Sequence, residues 1–291
     1  MAHDVVKHDY HLVNPSPWPL VASVAVTVMM IGAVIWMKGL FGLPEGTSWV
    51  FFGGLAMVLY SMFGWWGDVI KESRAGDHTP VVSIGLRYGM VLFIASEVMF
   101  FAGFFWMFFE MAIWNESRTL SSVIEVQEAW SSWPPVGVET LDAWHLPFLN
   151  TVILLLSGTT VTWAHHALQQ GDRKATKIGL ALTVALGVLF TAIQGYEYYH
   201  IIHENLFFSP DAMNSGLYGS LFFIATGFHG FHVLIGTLFL LVCLLRVMAG
   251  QMTPQKHFGF EAAAWYWHFV DVVWLFLFAF VYVAFGGGGH G

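Results

Sequence analysis

The sequence is poor in cysteine and in charge. It contains one cysteine, Cys243, so no disulfide within the chain and no cysteine-rich metal site can form. Only 10% of its 291 residues are charged, whereas an ordinary soluble domain carries about 25%. Eleven Lys and Arg against 19 Asp and Glu leave a net charge of −8, so no basic patch is available for a nucleic acid. These absences exclude a disulfide-stapled domain and a nucleic-acid-binding protein.

Hydrophobic residues make up 57% of the chain, and they occur in seven long segments with few or no charges. Each segment meets the requirement of about 20 apolar residues for a membrane-spanning helix. Unbroken apolar runs argue against a membrane β-barrel, whose strands alternate. The sequence therefore predicts an all-α polytopic membrane protein, a single transmembrane domain over residues 1–291. Its helices are predicted at about residues 17–39, 47–67, 82–112, 146–167, 176–203, 214–247 and 258–285.

The distribution of Lys and Arg predicts the orientation of these helices. Seven spans place nine of the eleven basic residues on the side of the N-terminus and only Lys38 and Arg118 on the other. The positive-inside rule then predicts a cytoplasmic N-terminus and an external C-terminus. The long loop 114–145 is external and acidic, which fits either a solvated loop or a docking surface for a basic partner. The nine basic residues of the inner side are Lys7, Lys71, Arg74, Arg87, Arg173, Lys174, Lys177, Arg246 and Lys256.

Two carboxylates fall in the middle of predicted helices. Glu97 lies about 15 Å beyond Arg87 along its helix, and Asp271 lies about 15 Å beyond Glu261. An ionised carboxylate facing lipid costs about 3 kcal/mol or more, so both side chains should face protein or water. Glu97 is then either a proton-relay residue or a neutral acid that is hydrogen-bonded inside the bundle. A proton-coupled transporter that uses Glu97 and Asp271 is one alternative function.

Histidines suggest a second alternative. His229 and His232 are three residues apart and share one helix face, a spacing that could hold a metal ion with Glu197 or His203 as a third ligand. The competing interpretation is a pair of core histidines that are satisfied by hydrogen bonds. A haem- or metal-bearing membrane oxidoreductase would use His229, His232 and His268. No phosphate-binding loop, HExxH pattern or Ser/His/Asp arrangement is present, so no catalytic residue is predicted.

Cations and aromatic residues meet at the inner ends of the predicted helices. This combination is typical of sites that hold anionic lipid headgroups, although most membrane proteins have some of it. The residues concerned are Trp65, Trp66, His78, Arg87, Arg246, Lys256 and His257.

Several long blocks have a specific order of residues. They include WWGDVIKES at 65–73, HTPVVSIGLRYGMVLFIASEVMFFAGFFW at 78–106 and QGYEYYH at 194–200, together with 149–168, 216–246 and 257–280. These blocks cover nearly the whole chain, and they resemble the cytochrome c oxidase subunit III family of aa3-type haem-copper oxidases. The N-terminal residues and the long outer loop look like the alphaproteobacterial form. The resemblance therefore implies a bacterial inner membrane, with the mitochondrial inner membrane as the alternative.

The resemblance also implies an architecture and a role. Helices 1–2 and helices 3–7 would form two bundles with a lipid-filled V-shaped cleft, packed against subunit I. Haem a, haem a3 and copper would belong to subunits I and II, so this chain would carry no cofactor except bound phospholipids. It would stabilise subunit I, support proton uptake and protect the complex from inactivation during turnover.

Site residues can be carried over by position from this resemblance. Trp66, Arg87, Phe93 and Arg246 look like lipid contacts of the cleft, and His78 and His257 are additions to the same set. Glu97 matches the buried glutamate that the family carries on helix 3.

Overall fold

A computed structural model describes residues 10–120, 122, 124–136, 138, 140–203 and 215–286. Within these ranges seven helices are long and apolar enough to cross a membrane. Apart from an isolated bridge between Leu40 and Leu43, the described residues contain no strand. The prediction of an all-α membrane protein with seven spanning helices is thus confirmed. Lys7 and residue 214, the predicted start of the sixth span, lie outside the described residues.

The spanning helices lie close to the predicted segments, and they are accompanied by one short helix of 6 residues, α4. The last spanning helix continues as a π-helical segment, Leu277–Ala284. The bounds are α1 Trp18–Lys38, α2 Trp49–Ala75, α3 Pro80–Thr119, α4 Ile124–Ala129, α5 Leu146–Gln169, α6 Arg173–His203, α7 Ser215–Met248 and α8 Phe258–Phe276.

Two helices extend beyond the apolar runs that predict them. α2 was expected to end near residue 67 but continues through charged residues to Ala75, where Gly76 closes it with a φ of +99° and donates its N–H to the carbonyl of Glu72. α3 was expected to end near residue 112 but continues to Thr119, with a break in helical geometry at Trp114 (φ −115°, ψ 25°). Charges mark where a helix leaves the membrane, not where its backbone hydrogen bonds end.

Contacts divide the chain into two compact units, with the boundary between Tyr88 and Gly89 inside α3. The first unit contains the hairpin of α1 and α2. These helices approach closely at two glycines, since a β-carbon on Gly32 would collide with the backbone of Phe51 and one on Gly54 with that of Met29. Small residues at a crossing allow this kind of packing between membrane helices.

The second unit contains a bundle of α5, α6, α7 and α8. Its centre is formed by Trp267 and Trp274, which are 0% and 1% exposed. The indole N–H of Trp267 donates to Ser157 Oγ at 2.9 Å, and that of Trp274 donates to Thr151 Oγ1 at 2.9 Å. Each buried indole therefore satisfies its polar atom on α5, which ties α8 to that helix.

Candidate functional site

The mid-membrane carboxylate of α3 is paired with a histidine. Glu97 Oε2 lies 2.8 Å from His232 Nε2 on α7, and the two side chains are 22% and 9% exposed. The sequence places no ionisable residue near Glu97 along its own helix. The structure brings His232 to it from 135 residues away.

The hydrogen bonds of His232 fix how many protons this pair holds. Nδ1 lies 2.6 Å from the carbonyl oxygen of Phe228, which can only accept, so Nδ1 carries a proton. A carboxylate and a bare Nε2 at 2.8 Å would be two acceptors facing each other, so a further proton must lie between them. Glu97 and His232 therefore share one proton, either as an ion pair or as a neutral acid and a neutral imidazole.

Aromatic rings surround this pair. His232 lies 5.0 Å from the ring of Phe101 between centroids and 6.2 Å from Tyr266. Phe93, one of the predicted lipid contacts, stacks on Tyr266 with its centroid at 6.3 Å and stays 47% exposed. Apolar surroundings strengthen hydrogen bonds because water does not compete for them. The pair thus lies among aromatic rings at one edge of the second unit.

Asp271 has a separate histidine partner on its own helix. Its Oδ2 lies 3.7 Å from His268 Nδ1, and His268 Nε2 lies 3.0 Å from Thr162 Oγ1 on α5. Asp271 also packs against Gly158, where a β-carbon would collide with the carboxylate. The two mid-membrane carboxylates therefore belong to two different polar groups.

The histidines proposed as metal ligands point to different partners. His229 is fully buried and donates from Nε2 to the carbonyl of Val270 at 3.1 Å, whereas His232 binds Glu97 and His268 contacts Thr162. Among the described residues, no three His, Cys, Asp or Glu side chains lie together in a way that could hold a metal ion. His229 is thus a core histidine whose Nε2 is hydrogen-bonded, while its buried Nδ1 has no hydrogen-bond partner among the described residues.

The predicted lipid contacts divide between the two units. Trp66 on α2, His78 before α3 and Arg87 near the start of α3 belong to the first unit. Phe93, Arg246 and His257 belong to the second.

Arg246 and His257 lie at the same end of the bundle in the second unit. Arg246 Nε is 3.4 Å from Gln251 Oε1, and its guanidinium lies beside Gly259 in the first turn of α8. His257 precedes that turn and donates from Nδ1 to the carbonyl of Thr253 at 3.1 Å. The structure therefore brings these two predicted contacts to the start of α8, while Phe93 lies further along α3.

A buried pair that involves the last turns of α6 was not anticipated. Glu197, which the sequence suggested as a third metal ligand, is 2% exposed and accepts a hydrogen bond from the hydroxyl of Tyr282 at 2.9 Å. Tyr282 lies in the π-helical segment after α8. Gln194 and Ile201, on the same side of α6, are also buried.

Comparison with known proteins identifies the family. The family model described as cytochrome c oxidase subunit III matches residues 8–286. Proteins named cytochrome c oxidase subunit 3 from Marchantia polymorpha and Arabidopsis thaliana are 52% and 50% identical over 269 residues, covering 92% of this chain and 93% of each relative. The protein of that name from Danio rerio is 50% identical over 275 residues, 94% of this chain and 95% of the relative. The chain belongs to the cytochrome c oxidase subunit III family.

Proposed function

We propose that this chain is a non-catalytic subunit of a cytochrome c oxidase that packs against subunit I, within a complex that also contains subunit II. Electron transfer from cytochrome c to oxygen, coupled to proton pumping, takes place in those two subunits, with haem a, haem a3 and copper. The observation that carries the proposal is the family match over residues 8–286. Co-purification of a tagged chain with a haem a-bearing protein tests it, and absence of haem from the gently extracted complex contradicts it.

The proposed location is the inner membrane of a bacterium, with the N-terminus in the cytoplasm. Nine basic residues on the side of the N-terminus against two on the other support this orientation. The mitochondrial inner membrane is the alternative.

The proposed contribution to proton uptake centres on the pair of Glu97 and His232. The pair holds one proton within a 2.8 Å hydrogen bond, and Glu97 keeps 22% of its side-chain surface exposed. A group of this kind accepts or releases a proton by a small rearrangement, which fits a supporting position beside a proton-pumping subunit.

We expect Glu97→Gln to retain assembly and near-normal initial oxygen consumption. The amide N–H₂ of Gln can donate to His232 Nε2 as a protonated Glu97 does, so the geometry of the pair survives. Glu97→Leu should lower the yield of assembled complex, because it leaves the imidazole without its partner. Oxygen-electrode rates and haem content are the measurements. Lost turnover in a fully assembled Glu97→Gln complex would show that the carboxyl group itself is needed.

The proposed lipid-binding role rests on Trp66, Arg87, Phe93 and Arg246, with His78 and His257 as additions to the same set. An arginine can bind a phosphate headgroup through two parallel hydrogen bonds, which a lysine cannot do in the same fixed geometry. In the second unit, Arg246 and His257 lie beside the first turn of α8, and positive helix-terminal N–H groups add to the attraction for an anion.

We expect an Arg87→Ala/Arg246→Ala complex to start turnover at a near-normal rate and then to lose activity faster than the wild type. Fewer phospholipids should remain bound in mass analysis of the purified complex. Lys174→Ala, which removes a basic residue from the start of α6, is the control and should change neither measurement. If the double variant keeps its lipids and its lifetime, these arginines only anchor the helices at the interface.

A further inference from the structure

Asn150 is a fully buried amide without a hydrogen bond. It lies in the second turn of α5 and is 0% exposed. Among the described residues, neither its amide nitrogen nor its carbonyl oxygen has a partner. A buried polar side chain loses the hydrogen bonds that it makes in water, and this loss destabilises the fold unless something replaces them. Such a residue marks a place where a small polar molecule can bind inside a protein.

The carboxyl group of Glu197 is also only half satisfied. Its Oε1 accepts the hydroxyl proton of Tyr282 at 2.9 Å. Its Oε2 is buried and has no hydrogen-bond partner in the part of the chain that the structure describes. The deficit exists in either protonation state, because an ionised Oε2 needs a donor and a protonated Oε2 needs an acceptor. Glu197 therefore presents a second unpaired polar atom inside the bundle.

α5 and α6 are antiparallel neighbours. Thr160 Oγ1 lies 2.8 Å from Thr183 Oγ1, and a β-carbon on Gly179 would collide with the side chain of Ala164. The helices are still close nearer the start of α5, where Trp274 lies between them. Its indole donates to Thr151 Oγ1 on α5 and its ring lies 4.9 Å from that of Phe190 on α6. The list of contacts thus continues along both helices.

This packing brings Asn150 and Glu197 to neighbouring levels. Fourteen residues make nearly four helical turns, so helices in contact present the same faces again at that interval. Asn150 lies 14 residues before Ala164, and Ile193 lies 14 residues after Gly179, the residue that Ala164 contacts. Glu197 follows Ile193 by about one turn, or about 6 Å.

The tilt of the side chains closes this offset. A side chain in a helix leans towards the N-terminus of that helix. Because α5 and α6 are antiparallel, Asn150 leans towards the end of α6 and Glu197 leans back towards the level of Asn150. No direct hydrogen bond joins the Asn150 amide to Glu197 Oε2, since both are without partners in the described chain. The two buried groups are therefore separated by a gap that a small molecule can bridge.

The unpaired atoms determine which molecule fits. The N–H₂ group of Asn150 needs an acceptor, and its carbonyl oxygen needs a donor. A metal cation cannot accept a hydrogen bond from the N–H₂ group, and a simple anion cannot donate one to an oxygen. Water donates and accepts, and it commonly bridges polar groups that are too far apart for a direct bond.

We propose that Asn150 and Glu197 form a binding site for ordered water inside the bundle, with at least one molecule bridging the Asn150 amide and Glu197 Oε2. The hydroxyl of Tyr282 completes the group through Glu197 Oε1. The site gives α5, α6 and the π-helical segment one shared polar contact. It involves only residues of this chain, so it goes beyond the proposed function and does not depend on it.

An experimental map of the wild-type protein tests the site directly. The protein is extracted with the subunits that accompany it and studied at a resolution that shows ordered water. We expect a water peak within hydrogen-bond distance, about 2.7–3.2 Å, of both the Asn150 amide and Glu197 Oε2. A direct hydrogen bond between these two side chains overturns the inference. So does the absence of a peak between them when other internal waters are visible.

Asn150→Leu distinguishes a hydrated site from a dry one. If the amide were dry and unpaired, an apolar side chain of similar size would remove its desolvation penalty and raise the unfolding midpoint in a denaturing detergent. If water is bound, the substitution removes its partner on α5 and leaves Glu197 Oε2 unpaired. We therefore expect the midpoint to fall. A rise in the midpoint contradicts the site.

A double-mutant cycle tests whether the two residues share the water. Loss of either residue releases a shared molecule, so the midpoint shift of Asn150→Leu/Glu197→Leu should be smaller than the sum of the two single shifts. Thr183→Val is the control partner for Asn150→Leu. It lies on the same face of α6 as Glu197 but 14 residues away, about 21 Å, and its shift should simply add.

Additive shifts for Asn150→Leu and Glu197→Leu would show that no molecule bridges the two side chains. If these variants do not accumulate in the membrane, the map of the wild-type protein decides alone. The outcome is separate from that of the proposed function, because haem can co-purify with the chain whether or not the water is present.

Discussion

The α1–α2 hairpin and the bundle of α5, α6, α7 and α8 differ in how much of each helix is buried within the chain. In the most apolar stretches of α1 and α2, 17% and 11% of residues are buried within the chain, whereas the four helices of the bundle reach 33–50%. The bundle therefore has a core of its own. Within the first unit, the hairpin has little more than one contact between two helices.

The difference is visible in the buried residues. In α1 these are Ala25, Gly32 and Ile35, whereas α8 buries two tryptophans, Trp267 and Trp274. Lipid tails are as apolar as leucine, so hydrophobic burial does not drive helices together in a membrane. Packing does, and large rings in fitted holes supply more of it than a few small side chains.

The largest effect is expected at the centre of the bundle. Trp267→Ala removes a fully buried ring that fills the space left by Gly187 and Gly236, and it also leaves Ser157 without its donor. We expect a loss of about 3–5 kcal/mol in the free energy of unfolding. Titration with a denaturing detergent measures this loss. Trp163→Ala, at a 45% exposed position of α5, is the control and should change stability little.

A smaller and local effect is expected in the hairpin. Gly54→Leu forces α1 and α2 apart because its side chain meets the backbone of Met29, at a cost of about 1–3 kcal/mol. Gly53→Leu is a matched control, since a β-carbon there meets nothing within 4 Å. Disulfide formation between cysteines that replace Trp36 and Phe51, whose rings lie 5.6 Å apart, reports the separation.

That measurement is made in a Cys243→Ala background. Gly54→Leu should reduce the crosslink, while the bundle keeps its unfolding midpoint. A hairpin that crosslinks normally in the Gly54→Leu variant would show that the substitution does not separate α1 from α2. Loss of the bundle along with the hairpin would contradict the independence of the two regions.

The smallest effect is expected at the end of the hairpin. Trp18→Phe keeps an aromatic ring against Tyr60 and removes the indole N–H that donates to Asp68 at 2.7 Å. The carboxylate also accepts from Lys71 and is exposed to water, so the crosslinking yield should change by less than about twofold. A larger loss would mean that this hydrogen bond, and not the glycine seam, holds the hairpin.

The number and positions of the spans were predictable because charge is expensive in lipid wherever it falls. The rotation of each helix about its axis was not, since it depends on packing between distant segments. The contact of Glu97 with His232 spans 135 residues and has no local signature. His268 and Asp271 are three residues apart on one helix, so that pair was readable from spacing alone.

The predictions from composition were least accurate at the ends of helices. The acidic stretch after residue 113 was predicted as an outer loop, yet α3 continues through it to Thr119, where Arg118 pairs with Glu110. A helix outside the membrane is held by its own hydrogen bonds and by side-chain pairs, so it needs no apolar run. The predicted lipid contacts remain a prediction, because they rest on resemblance and on exposed positions.

The shared proton of Glu97 and His232 has an electrical consequence. Whichever atom holds the proton, the pair as a whole is neutral, and the transfer distance is at most 2.8 Å. In a hydrocarbon layer of about 30 Å, a proton that moves this far crosses at most about a tenth of the membrane potential. A full charge that crosses the membrane changes in energy by about 2.3 kcal/mol per 100 mV. The free energy of this proton transfer therefore changes by only about 0.2 kcal/mol per 100 mV. The membrane potential therefore hardly biases where the proton rests, and only a proton gained from or lost to another group would respond to it.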